Sequence, residues 1–315
     1  MEPGRRAFFL PGRALRDPWT QFCQRLSRLV AGTVEDETTG STGQQVHRAR
    51  LIVARAADVH HARALCAELG VVLADVHAGL SADPVKSWLW VDAGRLAGVG
   101  TFDTRLGLIS VEAGCRVDTL REAIAGSGWV AGGLHDADAQ QTLGQWLMTA
   151  DQWLPGDCAA SGIHAVDVLL ADGRSEQLGS FGQAATRPLG PALRALVSGL
   201  FETAASAEAN AMRAQPHWPG RYRLDALLPR TPPGLTPIPN LAHLLLGSRG
   251  TLAWAERIHL RLQPAHAPAS LILEPQGGTS QHGADQVVEL AAVQRIDAYV
   301  KCRFDPETRL PSPFV

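Results

Sequence analysis

Residues 252–262 place the tightest constraint on this chain. Leu252, Trp254, Ile258, Leu260 and Leu262 share one parity, and Arg257, His259 and Arg261 share the other. A period of two puts the apolar set on one side of an extended backbone and the charged set on the opposite side. The segment therefore reads as a half-buried strand, with all five apolar residues on one face. Such a strand needs neighbours in a sheet and a second layer over its apolar face.

The rest of the chain supplies both. Residues 51–54 and 71–74 read as short buried strands. Between them Asp58 can cap a helix whose apolar face is Val59, Ala62, Leu65, Cys66 and Leu69, and Gly70 supplies the stop. Residues 88–91 and 108–111 read as further strands, followed by a helix with Val117, Leu120 and Ile124 on one face that ends near Gly126. Residues 163–171 form a strong strand closed by the turn pair Asp172 and Gly173. Leu193, Leu196, Val197, Leu200 and Ala204 mark a long helix, residues 214–240 a proline-bearing loop, and about 287–300 a last helix. Near the start, residues 19–29 suit a short amphipathic helix with Phe22, Leu26 and Leu29 on one face, and residues 40–45 a polar linker. Helices and strands alternate with hairpin-like stretches mixed in. The expected class is α+β, not a doubly wound parallel sheet.

Composition narrows the function classes. With 315 residues, 45% of them hydrophobic, the chain can bury one large core or two smaller ones. The 29 basic residues nearly balance the 31 acidic ones, which gives no reason to expect nucleic acid or a membrane surface as partner. Cys23, Cys66, Cys115, Cys158 and Cys302 are odd in number and lack CxxC spacing, against a disulfide framework and against a zinc or iron–sulfur site. A reducing, cytoplasmic location is expected. No apolar stretch has the length of a membrane span or of a signal core.

Five stretches then share an order and spacing. They are VDAGRL at 91–96 with VEAG at 111–114; QTLG at 141–144; IHAVDVLLADG at 163–173; HWPGRYRLDALLP at 217–229; and LGSRGTLAWAERIHLRLQP at 246–264. Together they resemble the FAD-binding domain of the vanillyl-alcohol oxidase and p-cresol methylhydroxylase superfamily, whose run reads roughly VDLSRL, V.AG, TIGG, V.G.EVVLADG and GSEGTLG.ITE..LRL.P. The 217–229 stretch and the terminal VKCRFDPETRLPSP are similar to segments of the FAD-linked D-2-hydroxy-acid (D-lactate) dehydrogenases. The reduced length after Pro264 is similar to the small flavin-domain subunits of glycolate oxidases.

The resemblance implies a p-cresol methylhydroxylase-type FAD-binding domain over 46–264, made of two α+β subdomains at about 46–100 and 101–264. A lead-in of 1–45 precedes it, and a short segment of 265–315 stands in place of the cap domain. It implies FAD as cofactor, held by His77, Ala78, Gly79, Leu80 and Ser81, by Thr142, Leu143 and Gly144, and by Gly162, Ile163 and Gly250. Family members cradle the FAD diphosphate on a glycine-rich turn whose N–H groups form an anion nest. Here that place is taken by residues 75–81, with Gly79 as its glycine and Asp75 at its start; Gln145 stands for the second glycine of TIGG, and Ala253 and Trp254 for small residues near the nucleotide.

Without a cap, no residue is assigned as catalytic base. The implied function is that of an FAD-binding subunit of an oxidoreductase acting on a small 2-hydroxy acid such as glycolate or D-lactate, alongside a larger flavin or iron–sulfur dehydrogenase subunit. The alternative is a non-catalytic pseudo-flavoprotein that stabilises or regulates such a partner. The remaining polar groups read as surface features. His60 and His61 point apart on a helix, and His135, Asp136 and Asp138 suit a solvated turn better than a metal site. Cys158 reads as an inert small residue rather than a flavin attachment point, and Arg221 and Arg223 as solvated loop arginines that also suit a carboxylate fork.

Overall fold

Two separate sheets organise the chain, in a computed structural model that describes residues 17–40, 46–182, 188–231, 236–265 and 288–312. The first sheet contains β1 (Thr33–Asp36), β2 (Arg48–Ile52), β3 (Val72–Asp75) and β4 (Trp88–Asp92), in the order β1-β2-β4-β3. β4 runs parallel to both β2 and β3, and β1 is antiparallel to β2. Parallel neighbours need a crossover, here α2 (Ala56–Leu69) between β2 and β3. Gly70 ends α2 in the left-handed conformation, φ 68°. Arg55, not Asp58, is the N-cap; Asp58 at the third helical position takes the N–H groups of Ala54 and Arg55 and reaches Ala31 as well.

The stretch read as a lead-in contributes α1 (Pro18–Leu29) and β1 to this N-terminal lobe. Trp19, Phe22 and Leu26 join Leu51, Leu65, Leu73 and Leu89 in one core. Leu29 remains 45% exposed, so the buried stripe runs one turn earlier than the Phe22–Leu26–Leu29 reading. Trp19 displaces Leu29 because it offers the larger apolar surface to the same core.

The second sheet is wholly antiparallel. β5 (Leu108–Glu112), β9 (Ala253–Arg261), β7 (Ile163–Leu170) and β8 (Ser175–Gly179) lie in the order β5-β9-β7-β8. A separate two-stranded ribbon pairs β6 (Trp129–Val130) with β10 (Gln263–Pro264), just after β9 in the chain. Its core gathers Val111, Val166, Val168 and Ile258 with Leu120 of α3 (Val117–Ile124), Leu147 of α4 (Leu143–Thr149), Leu200 of α5 (Pro191–Ala204), Met212 of α6 (Ala207–Arg213) and Val300 of α7 (Leu290–Phe304). The α+β class with two sheets is thus the architecture found. No helix among the described residues is long and apolar enough to cross a membrane.

β9 departs from simple alternation. Asp167 pairs with Arg257 and Val168 with Ala255, which leaves Glu256 as an extra residue on β9. This bulge flips the facing of the strand residues before it, Ala253 to Ala255. Trp254 consequently joins Leu169 in the N-terminal core, while Ile258 and Leu260 face the C-terminal core. The single apolar face expected for residues 252–262 is therefore divided between two cores. One strand in this way ties the lobes together. Gly114 lies at a close approach between them: a Cβ there would sit 2.0 Å from the Ala93 carbonyl oxygen.

Candidate functional site

The end of β3 and the bulged strand β9 face each other across the seam between the lobes. Leu73, Asp75 and His77 form one wall and Gly144, Met148 and Trp254 the other, with Leu310 from the C-terminal segment also in the lining. Of the residues expected to hold a cofactor, His77, Thr142, Gly144 and Gly250 meet in this cleft. Ala78 is buried in the same turn, and Gly79, Leu80 and Ser81 lie at its rim or outside it. Leu143 points into the C-terminal core.

Gly162 and Ile163 do not join them. Ile163 pairs with Leu260, six residues and about 20 Å of strand from Trp254. Gly162 there accepts the Arg261 N–H at 2.7 Å.

Thr142 and Gly144 have local roles. Thr142 caps α4, its side chain accepting the Gln145 N–H at 3.1 Å. Gly144 lets α4 lie against β5: its N–H donates to the Ala113 carbonyl at 2.7 Å, and a Cβ would meet that oxygen at 3.1 Å. The glycine thus eases the helix–strand contact whether or not a ligand is bound.

The turn that follows β3 decides what the cleft accepts. The Val76 N–H donates to the Val91 carbonyl at 3.1 Å, the His77 N–H to Asp75 Oδ1 at 2.7 Å, and the Ala78 N–H to the Asp75 carbonyl at 3.1 Å. Three consecutive donors are thus taken by the chain itself, whereas a diphosphate cradle needs such donors directed at the ligand. Asp75 adds a carboxylate at the same spot. Desolvation by the apolar walls, reinforced by the nearby Asp92, pushes its carboxyl up to about 6 against the opposing pull of the His77 N–H and imidazole. The free space beside Asp75 and Leu310 is about 30 Å³, room for about two water molecules, and an adjoining pocket that shares Ala93, Ala113, Trp254 and Ala255 adds about 200 Å³. Clefts that hold cofactors run to roughly 300–1,000 Å³. The residues present therefore do not fit the diphosphate and flavin of FAD.

Arg249 is the feature that the sequence pattern did not single out. It stands where the family pattern has Glu, adopts a left-handed φ of 58°, and donates from Nη1 to the Ala78 carbonyl at 3.4 Å. A Cβ on Gly79 would lie 2.5 Å from that Nη1. The left-handed conformation is costly for a side chain with a Cβ and directs the guanidinium onto the turn. A reversal of charge inside the 246–264 motif was the available signal.

The cleft has little equipment for covalent chemistry. Its hydroxyls are engaged, Thr142 in the α4 cap and Ser248 with the Leu245 carbonyl at 2.8 Å. Asp75 can hold or release a proton near pH 6, with the exposed His77 two residues away.

The other candidates serve the fold. Arg223 is buried and forked onto Asp225, from Nε at 3.0 Å and Nη2 at 2.8 Å, and it also donates to the carbonyls of Trp153 and Leu154. It is not a solvated loop arginine, because segment 222–227 is buried. Cys158 lies against Asp225 at 3.7 Å with its thiol pushed up by burial. His60 is only partly solvated: its Nε2 lies 2.6 Å from Glu256 Oε1, joining α2 to the bulge of β9. His135 and Asp136 pair with each other at the surface.

No protein-family model matches the chain. No curated protein matches it. Among solved structures it is similar to alkyldihydroxyacetonephosphate synthase, at 15% sequence identity and a TM-score of 0.43. The likeness covers 69% of this chain and 31% of that one, so the chain spans less than a third of the length of the protein it matches.

Proposed function

We propose that this chain is a non-catalytic relative of the FAD-linked oxidoreductases, a pseudo-flavoprotein that keeps the two-lobed scaffold and acts by stabilising or regulating a larger dehydrogenase subunit. One observation carries the reading: the turn after β3 directs the N–H groups of His77 and Ala78 onto Asp75, where a diphosphate cradle would present them to a ligand. The free space of about 30 Å³ beside that turn supports it. A scaffold that carries no cofactor contributes surface rather than chemistry, and function then resides in what it binds. The partner would be a flavin or iron–sulfur protein acting on a small 2-hydroxy acid, and the site of action would be the cytoplasm. The test is affinity isolation from the native host, followed by an absorbance spectrum of the isolated chain and of whatever accompanies it. The reading expects a colourless chain and a coloured partner. A yellow chain carrying stoichiometric flavin by itself would overturn it.

A second reading, a flavin-carrying subunit of the same class of oxidoreductase, draws on Arg249. Its guanidinium lies over Gly79, a cation at the edge of the diphosphate turn. The same spectrum separates the two.

A further inference from the structure

The C-terminal segment after α7 turns back toward the seam. Asp305 is its anchor: one carboxylate oxygen accepts the Arg309 N–H at 2.8 Å, and the other accepts the Leu310 N–H at 2.8 Å and Lys301 Nζ at 2.5 Å. Lys301 Nζ also donates to the Thr251 carbonyl at 2.7 Å and to the Leu310 carbonyl at 3.4 Å. Both charged residues are buried, Asp305 at 1% and Lys301 at 7% exposure. A buried pair is tolerated only when its remaining donors and acceptors are satisfied, and here the backbone of the segment does this. Thr308 closes the turn in a left-handed conformation, φ 51°, which the surrounding bonds must hold in place. The result is a short strap fixed to the C-terminal lobe at Thr251 and α7.

Its tip reaches the other lobe. Leu310 is 4% exposed and lines the cleft with Leu73 and Ala74 of β3 on one side and Met148 and Trp254 on the other. Arg63, buried on α2, lies within the electrostatic reach of Arg309 and Asp305. The strap, fixed to the C-terminal lobe, therefore places Leu310 in a cleft that both lobes line.

We infer that residues 305–312 form a latched strap that closes the inter-lobe cleft by seating Leu310 in it, with the Lys301–Asp305 pair as the latch. The inference rests on the proposed reading of the cleft as a site without flavin, and it names what occupies the space instead. A strap held by one buried pair also sets when the cleft opens: loss of the latch frees Leu310 and exposes Leu73, Met148 and Trp254 together.

Thiol protection in the full chain tests this. In Leu310→Cys the new thiol competes for a thiol reagent with the exposed Cys302 as internal reference. A closed strap protects position 310 at least about a hundredfold relative to Cys302, because the reagent enters only through local opening. Adding Asp305→Asn should cut that protection by roughly tenfold or more while Cys302 reacts as before. Labelling at position 310 as fast as Cys302, in a protein that still unfolds cooperatively, would overturn the strap. If Leu310→Cys does not fold, hydrogen exchange of the unaltered chain gives the same answer. Leu310 and Arg309 N–H exchange as slowly as β3 if the strap is latched, and at the rate of an open loop if it is not. Flavin titration of the same samples keeps the two ideas apart. Saturable FAD binding beside a protected thiol removes the flavin-free reading and leaves the strap, and no FAD binding beside a freely reactive thiol does the reverse.

Discussion

The backbone N–H of His77 donates to Asp75 Oδ1 at 2.7 Å, so the residue at the start of the turn occupies a donor that an anion would otherwise take. The same carboxyl is pushed up to about 6, chiefly by desolvation. Between an unfolded value of about 4 and this one, the folded chain holds more protons than the unfolded chain. Asp75 therefore weakens the fold above pH 6, and that penalty fades as pH falls toward 4. Asp75→Asn keeps the Oδ1 acceptor and removes the charge. Denaturant unfolding should show it more stable than the parent by up to about 2–3 kcal/mol at pH 8 and equal to it near pH 4.

His243 works in the opposite direction. It is 5% exposed, Nε2 lies 3.0 Å from the Ile163 carbonyl, and burial depresses it to about 4. Below an unfolded value of about 6.5 the unfolded chain takes up a proton that the folded chain refuses. Stability should fall as pH drops from 6.5 to 4, by up to about 3 kcal/mol from this group. His243→Leu should be less stable at pH 7 through loss of the hydrogen bond, yet its stability should vary less over that window. An unchanged pH slope would remove His243 from the account.

Asp225 accepts the Arg223 fork and the Gly156 N–H at 2.7 Å, all out of contact with water. Asp225→Ala leaves a guanidinium buried without its counter-charge. The expected loss is about 3–5 kcal/mol, read from the urea midpoint. Arg221→Ala, in the half-buried neighbour, should cost far less.

Gly114→Ala would place a Cβ 2.0 Å from the Ala93 carbonyl and 2.7 Å from that of Leu96, both backbone atoms of the facing segment. The lobes must separate to admit it. A loss of about 3 kcal/mol or more is expected, with earlier unfolding of the N-terminal lobe visible in hydrogen exchange.

Much of the scaffold was legible in the sequence where one period dominates. α2 with its Gly70 stop, β7 with its Asp172–Gly173 turn, and the strands β4 and β5 follow directly from apolar spacing. α4 is masked in the sequence by the likeness of residues 141–144 to TIGG. The spacing of Thr142 and Gln145 is that of a capping box, and Leu143, Trp146 and Leu147 follow with helical period. The bulge at Glu256 has one mark in the sequence, an acidic residue on the apolar parity of 252–262 with Ala253 and Ala255 on the opposite parity before it, but spacing alone does not say that the strand is divided there between two cores. The convergence of His77, Thr142, Gly144 and Gly250 was legible from motif order. The placing of Arg249 on the Ala78 turn and of Leu310 in the cleft lining was not, because they depend on backbone geometry and on a distant buried ion pair.

The central claim is that the scaffold persists without the cofactor, and titration of the purified full chain with FAD addresses it most directly. Flavin fluorescence and calorimetry would be followed together at pH 7.5. The account predicts no saturable quenching or heat up to about 100 μM FAD, and no flavin released on denaturation. One-to-one binding with a Kd of about 1 μM or tighter would contradict it, because the His77 and Ala78 donors would then have to leave Asp75 and face the diphosphate.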